Sequence, residues 1–386
     1  MFGERSRILV AAAESRRDSA AKPGSGKTES RAEESSGLGD GGCAQRTLPL
    51  VSFVIPAYRC TSYIRTALES VFRQTIPSYE VIVVNDQCPD TANLEIALEP
   101  YRNQIVYIVL PANRGSATAR NAGIRAAQGR FIAFLDADDI VEPDYLEKQL
   151  AAFDADSSLD LICCDTLLFG RPDVEGLRYS RLTRTEEATL TLEGVLIGRS
   201  SPVLSCVVVR RQAVLDIGCF DEAVPRNEDF DLWLRLLHRG KKLVYHPVVL
   251  GRRLERGGNK TSDNEGQALG AAFVPGRFAD RLPPGHPLAP LVAQRILFMT
   301  VCSAHQRARK LLNDGDVPDA LIYYRLAAKF YPSWRLSLYA GLLSAAPKLA
   351  LSIRVLNQLR VRSVSLARDA SNLVHRFRKP NHVKTT

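Results

Sequence analysis

The chain has 386 residues, 45% of them hydrophobic and 24% charged, the balance of a globular protein that needs neither disulfide nor metal merely to fold. That length allows one large domain with an appendage, or two ordinary domains. A net charge of +9 points to anionic partners, and phosphorylated small molecules or phospholipid headgroups fit better than nucleic acid, because no nucleic-acid motif accompanies the charge.

Residues 1 to 47 are rich in Ser, Gly, Ala, Glu and Arg without apolar periodicity, and are expected to be disordered. Gly24-Ser-Gly-Lys-Thr28 superficially follows a phosphate-binding loop, but Ala21 stands where the first glycine belongs and no strand-to-helix context surrounds it. No secretory signal is evident, since the apolar stretch Ile8 to Ala13 is too short. The pattern changes at Val51, where Val51-Ser-Phe-Val-Ile-Pro56 predicts a strand buried on both faces. Ser62 is placed to cap a helix whose Ile64, Ala67, Leu68, Val71 and Phe72 share a face. A strand over Glu80 to Val84 runs into Asn85-Asp86, and a polar segment leads to a strand over Ile105 to Leu110. An Ala-rich helix over about Ser116 to Gln128 ends at Gly129, before a strand over Phe131 to Leu135.

Strands and helices alternating at this spacing predict βαβ units and a mostly parallel sheet. Ligands bind beyond the carboxyl ends of such strands, and there stand Tyr58, Asp86 and Asp136-Ala-Asp-Asp139. Three carboxylates within four residues repel one another unless a cation or donors neutralise them. Hard oxygen ligands of this kind suit Mg²⁺ or Mn²⁺; an acidic turn capping the next helix is the plainer alternative. Farther on, Phe230, Trp233, Leu234 and Leu237 predict a helix stopped by Gly240, with Glu228 and Asp229 at its N-terminus. Acids there complement the helix dipole and would also hold a carboxylate ready to accept a proton.

Beyond about Gly266 the sequence turns helical, with stretches near Val292 to Leu312, Val317 to Phe330 and Leu336 to Leu359. From Arg354 onward eight basic residues face the single acid Asp369. Two readings of this region stand: core helices with a solvated tail, or an apolar face with basic flanks resting on an anionic membrane. No apolar run reaches the roughly 18 residues of a spanning helix. The eight cysteines form no C-x-x-C pair, which reads as reduced, buried thiols of a cytosolic protein.

Taken in register, these fragments resemble family 2 glycosyltransferases over roughly Leu50 to Gly258. The resemblance rests on Val51-Ser-Phe-Val-Ile-Pro-Ala-Tyr58, Leu68-Glu-Ser-Val-Phe-Arg-Gln-Thr75, Val83-Val-Asn-Asp86 and Asn113-Arg-Gly-Ser-Ala-Thr-Ala-Arg-Asn-Ala-Gly123. It continues through Gly129-Arg-Phe-Ile-Ala-Phe-Leu-Asp-Ala-Asp-Asp139 and Ile217-Gly-Cys-Phe-Asp-Glu222, leading to Glu228-Asp229 and Leu232-Trp-Leu-Arg235.

That likeness implies a GT-A, Rossmann-like α/β domain over 48–264 with a mixed, mostly parallel sheet flanked by helices. A disordered segment over 1–47 would precede it and a helical region with a basic tail over 265–386 would follow. It implies transfer of one sugar from a nucleotide-diphosphate sugar, UDP-sugars favoured, to a glycan or lipid-linked acceptor with inversion. Pro56, Ala57 and Tyr58 would contact the nucleoside and Asp86 the base, with Asn113, Arg120 and Asn121 lining or supporting the donor pocket. Arg120 could instead be structural, pairing with nearby acids. Asp136 and Asp138 would form the D-x-D motif that holds Mn²⁺ or Mg²⁺, and Asp229 would be the base. Location in the cytoplasm, with peripheral contact at the inner face of the membrane through the basic helices, completes the expectation, with polysaccharide or cell-envelope synthesis as the setting.

Two departures stand out. Relatives often read Asp-Asp-Gly-Ser where this chain has Asn85-Asp86-Gln87-Cys88, and Arg59 replaces a common asparagine. The first departure motivates the alternative of a catalytically silent nucleotide- or glycan-binding protein. No Q-x-x-R-W motif of the processive synthases is found, which favours single addition over polymerisation.

Overall fold

The computed structural model describes residues 9–10, 48–183, 185, 188–256, 264–330 and 334–345. The strands are β1 (Leu9–Val10), β2 (Val51–Ala57), β3 (Tyr79–Asn85), β4 (Ile105–Val109), β5 (Phe131–Phe134), β6 (Ile140–Val141), β7 (Leu159–Phe169), β8 (Val207–Arg210) and β9 (Lys242–Leu254). They form one sheet in the order β1-β4-β3-β2-β5-β8-β7-β9-β6. From β1 to β5 every neighbouring pair is parallel, as are β7 and β9. The pairs β5–β8, β7–β8 and β6–β9 are antiparallel. The sheet is thus mixed and mostly parallel, as the alternation of strand and helix patterns predicts.

Side chains alternate across β2. Val51, Phe53, Ile55 and Ala57 enter one core with α1 (Ile64–Phe72), α2 (Thr91–Leu98) and α4 (Tyr145–Ala155). Val54 enters the other core with α3 (Ser116–Ala126), α7 (Arg211–Asp216) and α8 (Glu228–His238). Two buried faces explain why these strands read as continuous apolar runs rather than as alternating ones.

Helix α1 buries Ile64, Ala67, Leu68 and Val71 as expected, but Ser62 does not cap it: the N-cap position is Tyr63, with no side-chain cap bond. The polar segment after Asp86 holds α2, which the sequence reading had not assigned. Helix α3 ends at Ala126, two residues before Gln128. It lies close to β2: a Cβ on Gly123 would stand 2.5 Å from Val54 Cγ1, and one on Gly129 would stand 2.7 Å from the Ser52 amide nitrogen. Both glycines are therefore there for close approach.

On the second core sit α6 (Leu192–Ile197), α9 (Asn264–Ala279) and the start of α10 (Ala289–Asn313), through Val195, Leu196, Val274, Phe278 and Val292. A smaller cluster joins the rest of α10 to α11 (Val317–Phe330) and α12 (Trp334–Ala345) through Val301, Ala308, Tyr324 and Leu343. Of the stretch 1–47, only the pair forming β1 is described. The expectations for the Gly24-to-Thr28 segment and for the basic tail from Arg354 lie outside the described residues. No helix among the described residues is long and apolar enough to cross a membrane. The seven described cysteines are free, and six of them are buried.

Candidate functional site

Strands β2 and β3 end level with each other, Ala57 opposite Asn85, and β5 ends opposite Val54, so Tyr58, Asp86 and Asp136 all follow the carboxyl ends of neighbouring strands. Asp86 is buried. Its carboxylate accepts the backbone N–H groups of Arg114 and Gly115, both at 2.8 Å, and the Asn113 side-chain amide at 3.2 Å. The same Asn113 amide also donates to the Asp86 carbonyl at 2.8 Å. Asp86 and Asn113 are thus brought together, and their bonds shape the turn that enters α3. Burial raises the Asp86 carboxyl above its ordinary range, against the pull of the Arg114 and Gly115 amides.

The loop after Asp86 keeps its turn without a glycine. Gln87 itself takes a left-handed backbone with φ +52°, while its side chain donates to the Leu110 carbonyl at 2.5 Å. Asn85 accepts the Cys88 N–H at 2.8 Å and donates to the Tyr107 hydroxyl at 2.8 Å and to Thr91 Oγ at 3.1 Å. An aspartate could not make those donations, which accounts for the amide at this position. Arg59 also takes φ +52°, the region where asparagine is enriched. Beside it Tyr58 is exposed at the crevice mouth, with the Arg59 guanidinium 5.4 Å from its ring centre. Pro56 and Ala57 form the end of β2, and the Ala57 carbonyl accepts the Asp86 N–H at 3.1 Å.

Helix α3 is the hub. Ser116, at its first position, donates its hydroxyl to Glu228. One turn on, Arg120 is buried and reaches Asp136 at 2.7 Å and Glu228 at 2.8 Å. Burial works against its charge, but the two acids outweigh that and hold the guanidinium firmly cationic. Of the two readings of Arg120, pairing with nearby acids is what the geometry displays. The Asn121 amide donates to the Phe220 carbonyl and to Glu222, both at 3.0 Å, and its oxygen accepts the Phe220 N–H at 2.9 Å. Asn121 thereby ties α3 to the loop that leads into α8.

The acidic segment divides its labour. The Asp136 side chain is 41% exposed, and its N–H is held by the Ser205 hydroxyl at 3.0 Å. Asp138 meets Arg256 at 3.1 Å, and that guanidinium lies 4.5 Å from the Tyr63 ring centre. Burial and the Asp136 charge raise the Asp138 carboxyl. Asp139 is buried and accepts the Leu254 N–H at 2.9 Å, pinning the end of β9 to the acidic loop. Its surroundings push it up to about 8, burial first and its two acidic neighbours next.

Asp229 sits in the first turn of α8 and accepts the Phe230 N–H at 2.8 Å. Burial of its carboxyl, followed by the Glu228 charge, raises it to about 6, while Arg120 pulls the other way. Asp136 also acts on it, so the acidic loop and the α8 N-terminus share one electrostatic site. Asn227, which precedes this turn, takes φ +58°.

Two carboxylates, one of them well exposed, form a donor set that Mg²⁺ or Mn²⁺ takes when it also keeps waters and substrate phosphates. Asp136 and Asp138 supply oxygens of that kind, each engaged here by an arginine, Arg120 and Arg256 respectively. Among the described residues no three His, Cys, Asp or Glu side chains gather into a metal-binding group. Ser116, Ser205 and Arg256 were not singled out by sequence reasoning, and Glu228 was seen only as a helix-end acid. Their roles are long-range, with Arg120 and Glu228 lying 108 positions apart. A buried cation needs an acid, and that requirement was the signal available.

Residues 52–205 match the family model described as Glycosyl transferase family 2. Residues 131–360 match Glycosyl transferase family group 2. Among curated proteins the chain is similar to an uncharacterized glycosyltransferase of Rickettsia typhi, 30% identical over 216 residues, covering 53% of this chain and 64% of the relative. Other relatives are covered over 38%, 33% and 21% of their lengths, so the chain spans about a fifth to two thirds of the curated proteins it matches. Among solved structures it resembles Staphylococcus aureus TarS 1-349 in complex with UDP-GlcNAc, with TM-score 0.52, 18% identity and coverage of 85% of this chain and 92% of that one. It also resembles the mannosyltransferase PcManGT of Pyrobaculum calidifontis in complex with GDP-Man and Mn²⁺, with TM-score 0.55, 18% identity and coverage of 85% and 87%. Both share the GT-A fold with this chain.

Proposed function

The chain belongs to glycosyl transferase family 2, and from that premise we propose that it moves one sugar from a nucleotide-diphosphate sugar to an acceptor hydroxyl with inversion. The observation that carries this reading is the Arg120 bridge. It ties Asp136 to Glu228 at 2.7 and 2.8 Å, bringing the donor-side acids and the α8 N-terminus to one place.

In this reading Asp229 takes the acceptor hydroxyl's proton as the oxygen attacks the anomeric carbon. The nucleotide diphosphate leaves from the opposite face, so a single displacement inverts the configuration. A base raised to about 6 is ionised near neutrality yet has useful proton affinity. Glu228, held by Arg120 and Ser116, positions the turn that presents it. Pro56, Ala57 and Tyr58 flank the nucleoside, and Asp86 with Asn113 orders the turn against which the base would lie. A divalent ion, Mn²⁺ or Mg²⁺, held by Asp136 and Asp138 would offset charge on the departing diphosphate. Support for a nucleotide-sugar donor comes from the UDP-GlcNAc and GDP-Man bound by the two structural neighbours. UDP-sugars are favoured, and the acceptor is a glycan or lipid-linked saccharide in polysaccharide or cell-envelope synthesis. The setting we favour is the cytoplasm, with the basic tail resting on the inner face of the membrane.

The test is thermal stability with UDP, GDP, dTDP and CMP, each with and without Mn²⁺. A ligand that binds only the folded state raises stability in proportion to RT ln(1 + [L]/Kd). A metal-dependent rise with one nucleotide, lost in Asp138→Ala, supports the donor site. No rise with any nucleotide would sink the transferase reading.

A further inference from the structure

The structure assigns Arg295 to an oxyanion subsite on the acceptor side of the crevice, which we infer selects an acceptor carrying a phosphate or carboxylate. This rests on the transferase reading and names the chemistry of its second substrate.

Arg295 projects from α10 between the end of α6 and the first turn of α8. Its guanidinium lies against Gly198, the left-handed residue that ends α6: a Cβ there would stand 3.3 Å from Nη1 and 3.5 Å from Nη2. On another side the ring centre of Phe230 is 5.9 Å away, and Phe230 follows the proposed base Asp229. The chain leaving Gly198 runs to Ser205, whose hydroxyl holds the Asp136 N–H. The guanidinium therefore neighbours, through Phe230, the helix turn that carries the proposed base.

What sets Arg295 apart is the missing acid. Around the crevice Arg120 has Asp136 and Glu228, Arg256 has Asp138, and Arg281 has Asp221 and Asp231. Among the described residues no carboxylate pairs with Arg295, and its Nε is enclosed without a partner. Two residues past Gly198, the Ser200 hydroxyl is likewise buried and unsatisfied. Burial weakens the Arg295 charge to about 10, with only Cys302 acting the other way. A half-buried cation without a counter-ion is costly, and a ligand that supplies paired oxygens removes that cost. The planar fork of arginine matches carboxylate and phosphate alike, whereas a neutral sugar offers neither. An arginine present only to cap α6 would be indifferent to the charge of the acceptor.

The experiment is calorimetric titration of the full chain, saturated with Mn²⁺ and whichever nucleoside diphosphate binds, with glucose, glucose 6-phosphate and glucuronic acid. Filling the donor site first keeps the anionic probes out of it. We expect at least one anionic probe to bind ten-fold or more tighter than glucose. A preference for the phosphate ester names a phosphorylated acceptor, and a preference for the uronate names a carboxylated one. Arg295→Gln should abolish the preference while leaving the nucleotide Kd unchanged, and Arg295→Lys should retain part of it. Equal or absent binding of the three probes, or a preference that survives in Arg295→Gln, overturns the subsite. If no nucleoside diphosphate binds at all, the transferase reading itself fails; if one binds and the anion preference is missing, only the subsite fails.

Discussion

At the scale of single residues, two side chains make opposite demands. Asp229 holds its proton more tightly folded than unfolded, its carboxyl raised from 3.8 to about 6. Between those values the native state binds more protons, so its contribution to stability falls as pH rises through that window. Asp229→Asn should therefore melt above wild type at pH 7 to 8, with the difference vanishing below about pH 4. Calorimetry over that pH range checks this. The same variant should lose roughly 10²–10⁴-fold in transfer rate with nucleotide affinity unchanged, and the wild-type rate should climb as pH passes about 6. A variant both more stable and inactive is the mark of a group held for its chemistry. Arg120 behaves in the reverse sense. Arg120→Met leaves Glu228 buried without its cation, and removal of one partner from such a pair typically costs about 3–5 kcal/mol. Urea unfolding should register that loss, with Arg120→Lys falling in between.

At the scale of elements, α3 and the loop after β3 decide the shape of the crevice. Gln87 adopts φ +52° where glycine would be at ease, and this costs on the order of 1–2 kcal/mol for a residue with a side chain. Its bond to the Leu110 carbonyl offsets part of that cost. Gln87→Gly should accordingly change stability by less than about 1 kcal/mol, since strain relief is exchanged for a lost hydrogen bond and greater unfolded-state freedom. Gln87→Val, branched and unable to make the bond, should lose about 2 kcal/mol and weaken nucleotide binding. Chemical denaturation and a nucleotide titration of the pair check both.

Much at this level was legible beforehand. Strands β2, β3 and β5 announce themselves because two buried faces leave only apolar residues, and the turn acids stand out at their ends. Asp86, Asp136 and Asp138 stand at such positions, and Asp229 stands at the start of an amphipathic helix. Helix α2 was not, because Thr91, Asn93 and Glu95 break its apolar pattern and half of it faces solvent. The Ser62 cap failed for a local reason, the chain entering α1 one residue later through Tyr63. Glu228 and Ser205 were invisible in their roles because each acts on a residue far along the chain.

At the scale of the whole molecule, charge is unevenly placed. Residues 346–386 carry nine basic side chains and one acid, +8 of the chain's +9. Removing them should leave a nearly neutral protein that still binds nucleotide, because the residues proposed to hold the donor lie within 51–256. If the tail serves a membrane, the truncated chain should lose sedimentation with vesicles of anionic lipid. Wild-type sedimentation should also fall steeply with salt, since each Lys or Arg near such a surface is worth about 1 kcal/mol. Sedimentation that survives truncation would place any lipid contact elsewhere.

The antiparallel switch in the middle of the sheet has a consequence for how the protein is made. One side of β5 is covered by β2, made earlier, but the other waits for β8. Ribosomes add about 5–20 residues per second, so the 76 residues between Phe134 and Arg210 take roughly 4–15 s. Throughout that interval Phe131-Ile-Ala-Phe134 borders an open, apolar edge on an already formed parallel half-sheet. Such an edge is a template for pairing with another chain. The nascent protein therefore passes through a defined window of vulnerability to aggregation, which closes when residues 207–210 emerge and insert. Slowing translation between residues 135 and 206 should lower the soluble yield, whereas slowing it beyond 256 should not.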